Sequence, residues 1–339
     1  MRESGKGFVS VQRRAFGGVA DLPLVLDLIR TMPTACRHVL EFGWRLTAPA
    51  IAAGRDAVYW QDSGGQVAGL AAWQQAWATL DFYVRAGPDS MTVERGIFAW
   101  AGERFRERDA ERGHRLPYAV EFRDDDQDRQ VFVAAHGFVH NARASHVCLR
   151  RRLDTLPSPS AIPDGFTIRP LADTGEAAAY AETHRAAFGG EAMTAQWRER
   201  TIGTPLHQPD LDLVAVAPDG TLAGFCVGWH DPVRGLAQLE PVGVHPRYQR
   251  RGLARAPMAE MLRRLAGRGA SVAVVEAEPG LTAARGLRRR RIQPDPHGLA
   301  PGGLGRRCHL NRWLPSPDRR AYPGPAGTVS GAGRGRVRR

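Results

Sequence analysis

Gln249, Arg250, Arg251, Gly252, Leu253 and Ala254 follow the spacing Gln-x-x-Gly-x-Ala, directly after "LEPVGV" and a His245-Pro246 turn. Helix-patterned sequence follows. One chemistry suits this placement: holding a diphosphate. A helix start presents N–H groups without intrahelical partners and the positive end of the dipole. Small residues at Gly252 and Ala254 let phosphate approach the backbone closely, and Arg250 and Arg251 add positive charge. An ordinary strand–turn–helix with surface arginines has the same composition, so the hexapeptide alone does not decide. Upstream, alternation predicts that Glu240 shares a strand face with Val242 and Val244. A carboxylate there can take a proton from an amine, or it can be a surface acid paired with an arginine. His230, at the end of the preceding strand, is a second candidate base, competing with a solvated turn histidine.

The elements that must position these residues are legible from pattern. A hairpin is predicted over about 211–229 with its turn at Asp219-Gly220. A strand follows over Leu236–Val244. A helix is predicted from about Gly252 to Leu265, its apolar face formed by Leu253, Met258, Met261, Leu262 and Leu265. "SVAVVEA" reads as a buried strand. Pro257, about one turn into the helix, is expected to kink it and weaken the site modestly.

The unit occurs twice. "SGGQVAGLAAW" (63–73) matches "PDGTLAGFCVGW" (218–229), with Gly69 and Gly224 separated by 155 positions, and "YAVEF" (118–122) matches "AVVEA" (273–277) at the same offset. "LDTLPSPSAIPDG" between them reads as a linker. Each half is an α/β unit with a mixed, largely antiparallel sheet flanked by helices. The expected division is 8–152, a linker over 153–165, a second domain over 166–287 and a tail over 288–339.

With its V-x-V-H-P lead-in, the segment from Leu239 to Arg255 resembles the acyl-CoA signature of the GNAT superfamily of N-acyltransferases. The likeness covers most of residues 166–287, and the first half resembles the same fold weakly. The tandem arrangement is similar to that of mycothiol synthase and related actinobacterial acetyltransferases. The resemblance implies that the amides of Arg250, Arg251, Gly252, Leu253, Ala254 and Arg255, behind Gln249, hold the diphosphate of acetyl-CoA. It implies that the Val242, Gly243 and Val244 backbone pairs with the pantetheine arm, and that the N–H near Val244 polarises the acyl carbonyl. An amine of a small molecule or peptide would attack the thioester directly, with Glu240, or less favourably His230, as base. No metal is implied. In the first half the signature position reads "VRAGPDSMTVERG" (84–96), without the pattern. That half is expected to be a scaffold that has lost acyl-CoA binding, the alternative being a divergent second site.

The net charge of +12 sits almost wholly in the tail, where thirteen arginines face only Asp295 and Asp318. The tail has sixteen prolines and glycines and no periodicity, which predicts disorder. In family members the last buried strand leads to a helix with a Leu-Tyr-x-x-x-Gly-Phe pattern and a final hairpin, the tyrosine protonating the departing thiolate. The 155-residue offset puts four arginines (288–291) on the tyrosine and its followers. One choice of codons, read one base later, restores Tyr-x-x-x-Gly-Phe, so a change of frame near Leu287 accounts for the tail. On that reading the closing helix and hairpin are lost, the "SVAVVEA" edge is exposed and activity is impaired. The alternative function is then a non-catalytic acyl-CoA-binding pseudoenzyme. Nucleic-acid binding by the arginines is a third, weaker reading. No apolar run of about 18 residues and no signal pattern is present, so no membrane partner is expected. Four dispersed cysteines suit a reducing cytoplasm.

Overall fold

The computed structural model describes residues 11–32, 39–114, 118–124, 126–277 and 308–315. The first half runs β1 (Gln12–Ala15), α1 (Leu22–Arg30), α2 (Phe42–Arg45), α3 (Pro49–Ala52), β2 (Ala57–Gln61), β3 (Val67–Gln74), β4 (Thr79–Val84), α4 (Ser90–Arg112), β5 (Ala119–Arg123), α5 (Gln127–Ala135) and β6 (Phe138–Arg152). The second runs β7 (Thr167–Pro170), α6 (Ala177–Phe188), α7 (Ala195–Ile202), β8 (Asp212–Val216), β9 (Leu222–Asp231), β10 (Leu236–Val244), α8 (Arg255–Gly267) and β11 (Val272–Ala277). β12 (Cys308–Pro315) follows.

All twelve strands form one sheet, ordered β1-β2-β3-β4-β5-β12-β6-β11-β10-β9-β8-β7. Among the described residues, only β4–β5 and β10–β11 are parallel. Both parallel pairs are short. β4 meets β5 at Thr79 and Leu80, and β10 meets β11 only over Leu236, Ala237 and Gln238. Beyond those residues the strands part. In the second half this leaves the Val242–Val244 backbone paired with β9 on one side and facing a wedge on the other.

The halves share a core. Leu22, Val25, Ile29, Phe42 and Ile51 of the first pack with Tyr180, Val214, Phe225, Val227 and Trp229 of the second. At about 25 cal/mol per Å² of apolar surface, such side chains contribute roughly 1.5–3 kcal/mol each on full burial. Two smaller cores lie on the opposite face, one under α4 and one under α8.

Three expectations are corrected here. The "SVAVVEA" edge is not exposed: the long β6 reaches across and pairs antiparallel with β11 from Val272 to Ala277. The tail is not without strand structure, because Cys308–Pro315 inserts between β5 and β6, antiparallel to both. Its backbone polar groups have ladder partners on two sides, which local periodicity does not reveal. Pro257 does not interrupt α8, which begins at Arg255 rather than Gly252. It is the third helical residue, where its missing N–H has little intrahelical role. The closing helix, the change of frame near Leu287 and the four arginines at 288–291 lie outside the described residues.

Candidate active site

The wedge beside β10 begins at a bulge. Leu239 pairs with Gly228 but Val242 pairs with Cys226, so the register shifts between them. Leu239 and Val242 consequently pack into the same core, under α8. This corrects the expected alternation from Glu240 through Val244: the extra residue turns Glu240 away from the face used by Val242. Glu240 lies instead on the side of α6, where its charge acts on Tyr180. Its carbonyl accepts a hydrogen bond from Trp229 Nε1 at 2.6 Å. The ring of Trp229 is buried against Gly43, where an added Cβ would come within 2.6 Å of it. Two residues upstream of Glu240, Gln238 donates to Glu41 of the first half at 3.1 Å. The first half thus holds the strand that carries the candidate base.

Beyond the bulge the backbone direction can be read from its partners. His245 N–H donates to Ala223 across on β9. Alternation therefore points the N–H and C=O of Val244 the other way, into the wedge. The Val244 carbonyl is met there by Gln249 Nε2 at 3.3 Å. Gly243 faces α6, and a Cβ at this position would lie 2.4 Å from Phe225 Cζ.

The loop after β10 turns a run of backbone N–H groups outward. Pro246–Tyr248 makes one 3-10 turn, Arg250 has φ 64° and Gly252 φ 86°. Two left-handed residues so close reverse the chain before α8 and turn its amides outward. Among the described residues, no hydrogen bond engages the N–H groups of residues 250–254. A Cβ on Gly252 would meet nothing within 4 Å, so the approach to this backbone is open. Ala254 caps α8 without a side-chain bond, and Leu253 is buried beneath the loop. Arg247, Arg250, Arg251 and Arg255 are exposed around it. The guanidiniums of Arg247 and Arg251 lie 5.6 and 5.9 Å from the Tyr248 ring centroid. Tyr248 is anchored through its hydroxyl to Thr221 at 2.9 Å. This arrangement can hold a diphosphate, with a strand backbone leading away from it into the wedge.

His230 stands elsewhere. It pairs with Ala237, at the end of β10 remote from the loop, and is buried with Nε2 lacking a partner among the described residues. Burial and Arg268 hold its pKa below the usual histidine value. Its surroundings belong to the C-terminal end of α8, and the structure does not bring it to Val244.

Side chains that spacing did not single out stand behind α6. The Tyr180 hydroxyl is buried without a hydrogen-bond partner among the described residues, and the Arg198 guanidinium lies 3.8 Å from its ring centroid. Burial raises the Tyr180 pKa. Arg198 is paired in turn with Asp212, which also accepts from His207 at 2.8 Å. His184 stacks on Phe225 at 5.5 Å and 11°, and desolvation brings its pKa down to about 4. The repeated tryptophans at the ends of the two matched segments were the one sequence signal for this layer, since Trp229 is one of them.

Residues 177–291 match the model of the Acetyltransferase (GNAT) family. A mycothiol acetyltransferase of Kineococcus radiotolerans is 34% identical over 133 residues, 37% of this chain and 43% of that protein. An acetyltransferase of Yersinia pestis is 41% identical over 63 residues, 19% of this chain and 43% of its own. The chain thus spans less than half the length of these curated relatives. Among solved structures, a tandem GNAT protein from the clavulanic acid biosynthesis pathway has a TM-score of 0.59 at 17% identity, over 90% of this chain and 98% of that one. A GCN5-related N-acetyltransferase from Sphaerobacter thermophilus has a TM-score of 0.55 at 22% identity, over 89% and 95%.

Proposed function

We propose that this chain, whose residues 177–291 match the model of the Acetyltransferase (GNAT) family, transfers an acetyl group from acetyl-CoA to an amine, using the second half as its catalytic domain and the first as its scaffold. The observation that carries the reading is the continuous path from the unengaged amides of residues 250–254 to the wedge-facing backbone of Val244. Acetyl-CoA supplies the activated acyl group. The amides of Arg250, Arg251, Gly252, Leu253 and Ala254, with Arg255 and the flanking guanidiniums, bind the diphosphate. Val242, Gly243 and Val244 align the pantetheine arm as an added strand would be aligned, and the Val244 N–H polarises the carbonyl. Glu240 takes the proton of the attacking amine as the new C–N bond forms and the C–S bond breaks. Its carbonyl is fixed by Trp229, so the peptide carrying it is held still. The domain division at 153–165 and a cytoplasmic location belong to the same proposal.

Calorimetry with acetyl-CoA, followed by thiol release across a panel of amines, tests it. Binding with turnover is the expected result. Binding without turnover would identify the chain as an acyl-CoA-binding pseudoenzyme, the reading favoured by arginines at 288–291 in place of a tyrosine. No binding would defeat both.

A further inference from the structure

A second cavity lies at the seam between the halves, with a volume of about 260 Å³. Ile51, Trp73, Gln74, Trp77 and Arg112 of the first half and Trp197 of α7 line it. It is not at either wedge. Gln74 and Thr79 close the end of the β3–β4 pair opposite Gly69 and Val84, where β4 leaves β5.

Three features point to a ligand. Gln74 is fully buried, and neither its Nε2 nor its Oε1 has a partner among the described residues. The indole N–H of Trp73, also in the wall, is likewise buried without a partner among the described residues. Unpaired buried polar atoms are costly and uncommon. Among the neighbouring buried groups, Arg45 pairs with Asp81 at 2.8 Å and Asp56 with Arg104 and Arg108 at 2.7 and 3.0 Å, while Arg104 Nη2 and Arg108 Nε also lack partners among the described residues. Secondly, Arg112 is the sole charged residue among the described residues of the wall. No carboxylate is among the described residues that line the cavity. Thirdly, the remaining wall is aromatic. Trp77 and Trp197 stand 6.0 Å apart at 67°, too close and too steep to sandwich a ring, but able to receive one edge-on. Trp77, 37% exposed, leaves the mouth open. Water could satisfy single orphan atoms, but it would leave the apolar wall and the guanidinium without complement.

We propose that this cavity binds a small aromatic carboxylate bearing a hydroxyl at its far end. The carboxylate meets Arg112, the ring lies against Trp77 and Trp197, and the hydroxyl both donates to and accepts from the Gln74 amide. The proposal does not depend on the acetyl-CoA reading. Its volume lies below the roughly 300 Å³ at which drug-sized sites begin, which suits a single ring.

The test titrates 4-hydroxybenzoate into the full chain and follows the indole N–H resonances of Trp73, Trp77 and Trp197. The matched series is 4-hydroxybenzamide, which removes the charge, benzoate, which removes the hydroxyl, and 4-hydroxybenzylamine, which inverts the charge. The acid is expected to bind with a Kd of about 1 mM or tighter. The amide and benzoate are expected to be weaker by about fivefold or more, and the amine not to bind. Arg112→Gln, at a partly exposed helix end, is expected to weaken the acid about tenfold while leaving the amide unchanged. Gln74→Leu should reduce the hydroxy acid to the affinity of benzoate. If that variant fails to fold by circular dichroism, the ligand series and Arg112→Gln decide the matter. Equal binding of acid and amide, tighter binding of the amine, or no shift at about 10 mM acid overturns the proposal.

Discussion

Glu240 derives its proposed role from where a bulge leaves it. A carboxylate on a regular strand would sit with Val242 and Val244, but the shift between Leu239 and Val242 turns it toward α6 and Tyr180. Glu240→Gln is expected to lower turnover by about 10²–10⁴-fold while leaving acetyl-CoA affinity within about twofold, measured by thiol release and calorimetry. A loss of affinity equal to the loss of rate would assign Glu240 to binding instead. His184 supplies a separate pH signature. Its folded pKa of about 4, set first by burial, lies below its ordinary value of 6.5. The folded state therefore holds fewer protons on this ring than the unfolded one. Stability is fully present above pH 6.5 and is lost as the pH falls from there to about 4, by at most about 3 kcal/mol. Urea midpoints across that window should fall in the wild type. In His184→Phe, which keeps the apolar stack on Phe225, they should fall less steeply.

Elements decide how tightly these residues are placed. α8 carries the loop, and Pro257 belongs to its first turn. Pro257→Ala is therefore expected to change stability by less than about 1 kcal/mol and to leave acetyl-CoA affinity unchanged, whereas an interior proline would cost about 3. A rise in affinity on removing the proline would restore the kinked-helix expectation. β10 behaves differently, because its close approach to β9 leaves no room at Gly243. With a new Cβ 2.4 Å from the Phe225 ring, Gly243→Ala should destabilise by about 1–3 kcal/mol and weaken acetyl-CoA binding, by thermal melting and calorimetry. Behind α7, Arg198 and Asp212 form a buried pair.

At the scale of the molecule the two halves share one sheet and one core. Their largest core mixes α1 and α2 with α6 and β9, and β6 joins β11 in the sheet. β12 makes the far end of the chain part of the first half, between β5 and β6. Deleting residues 308–339 should therefore remove hydrogen-exchange protection from amides of β5 and β6 while α8 and β9 remain protected. Unchanged protection in β5 would exclude a structural role for β12 in solution.

The 155-residue repeat is enough to read a duplicated α/β unit, and the spacing Gln249–Ala254 to read the loop between a strand and a helix. Both are local: a turn, a helix start and period-2 or period-3.6 apolar patterns are written within a few residues. The direction of Glu240 was not legible, because a bulge depends on which residue of β9 lies opposite, and that is a fact about two strands. Pro257 was misplaced by three residues of helix start, a difference made by the left-handed turn at Arg250 and Gly252. Residues Glu41, Gly43 and Trp77 carried no signal, since each acquires its meaning from a residue more than a hundred positions away. The sequence by itself therefore determined the units, the loop and its charge, through short-range propensity and spacing. The tertiary structure alone decided the facing of the candidate base, the cover over β11, the place of β12 and the seam cavity. Each of these rests on long-range pairing and packing that only the closed sheet creates.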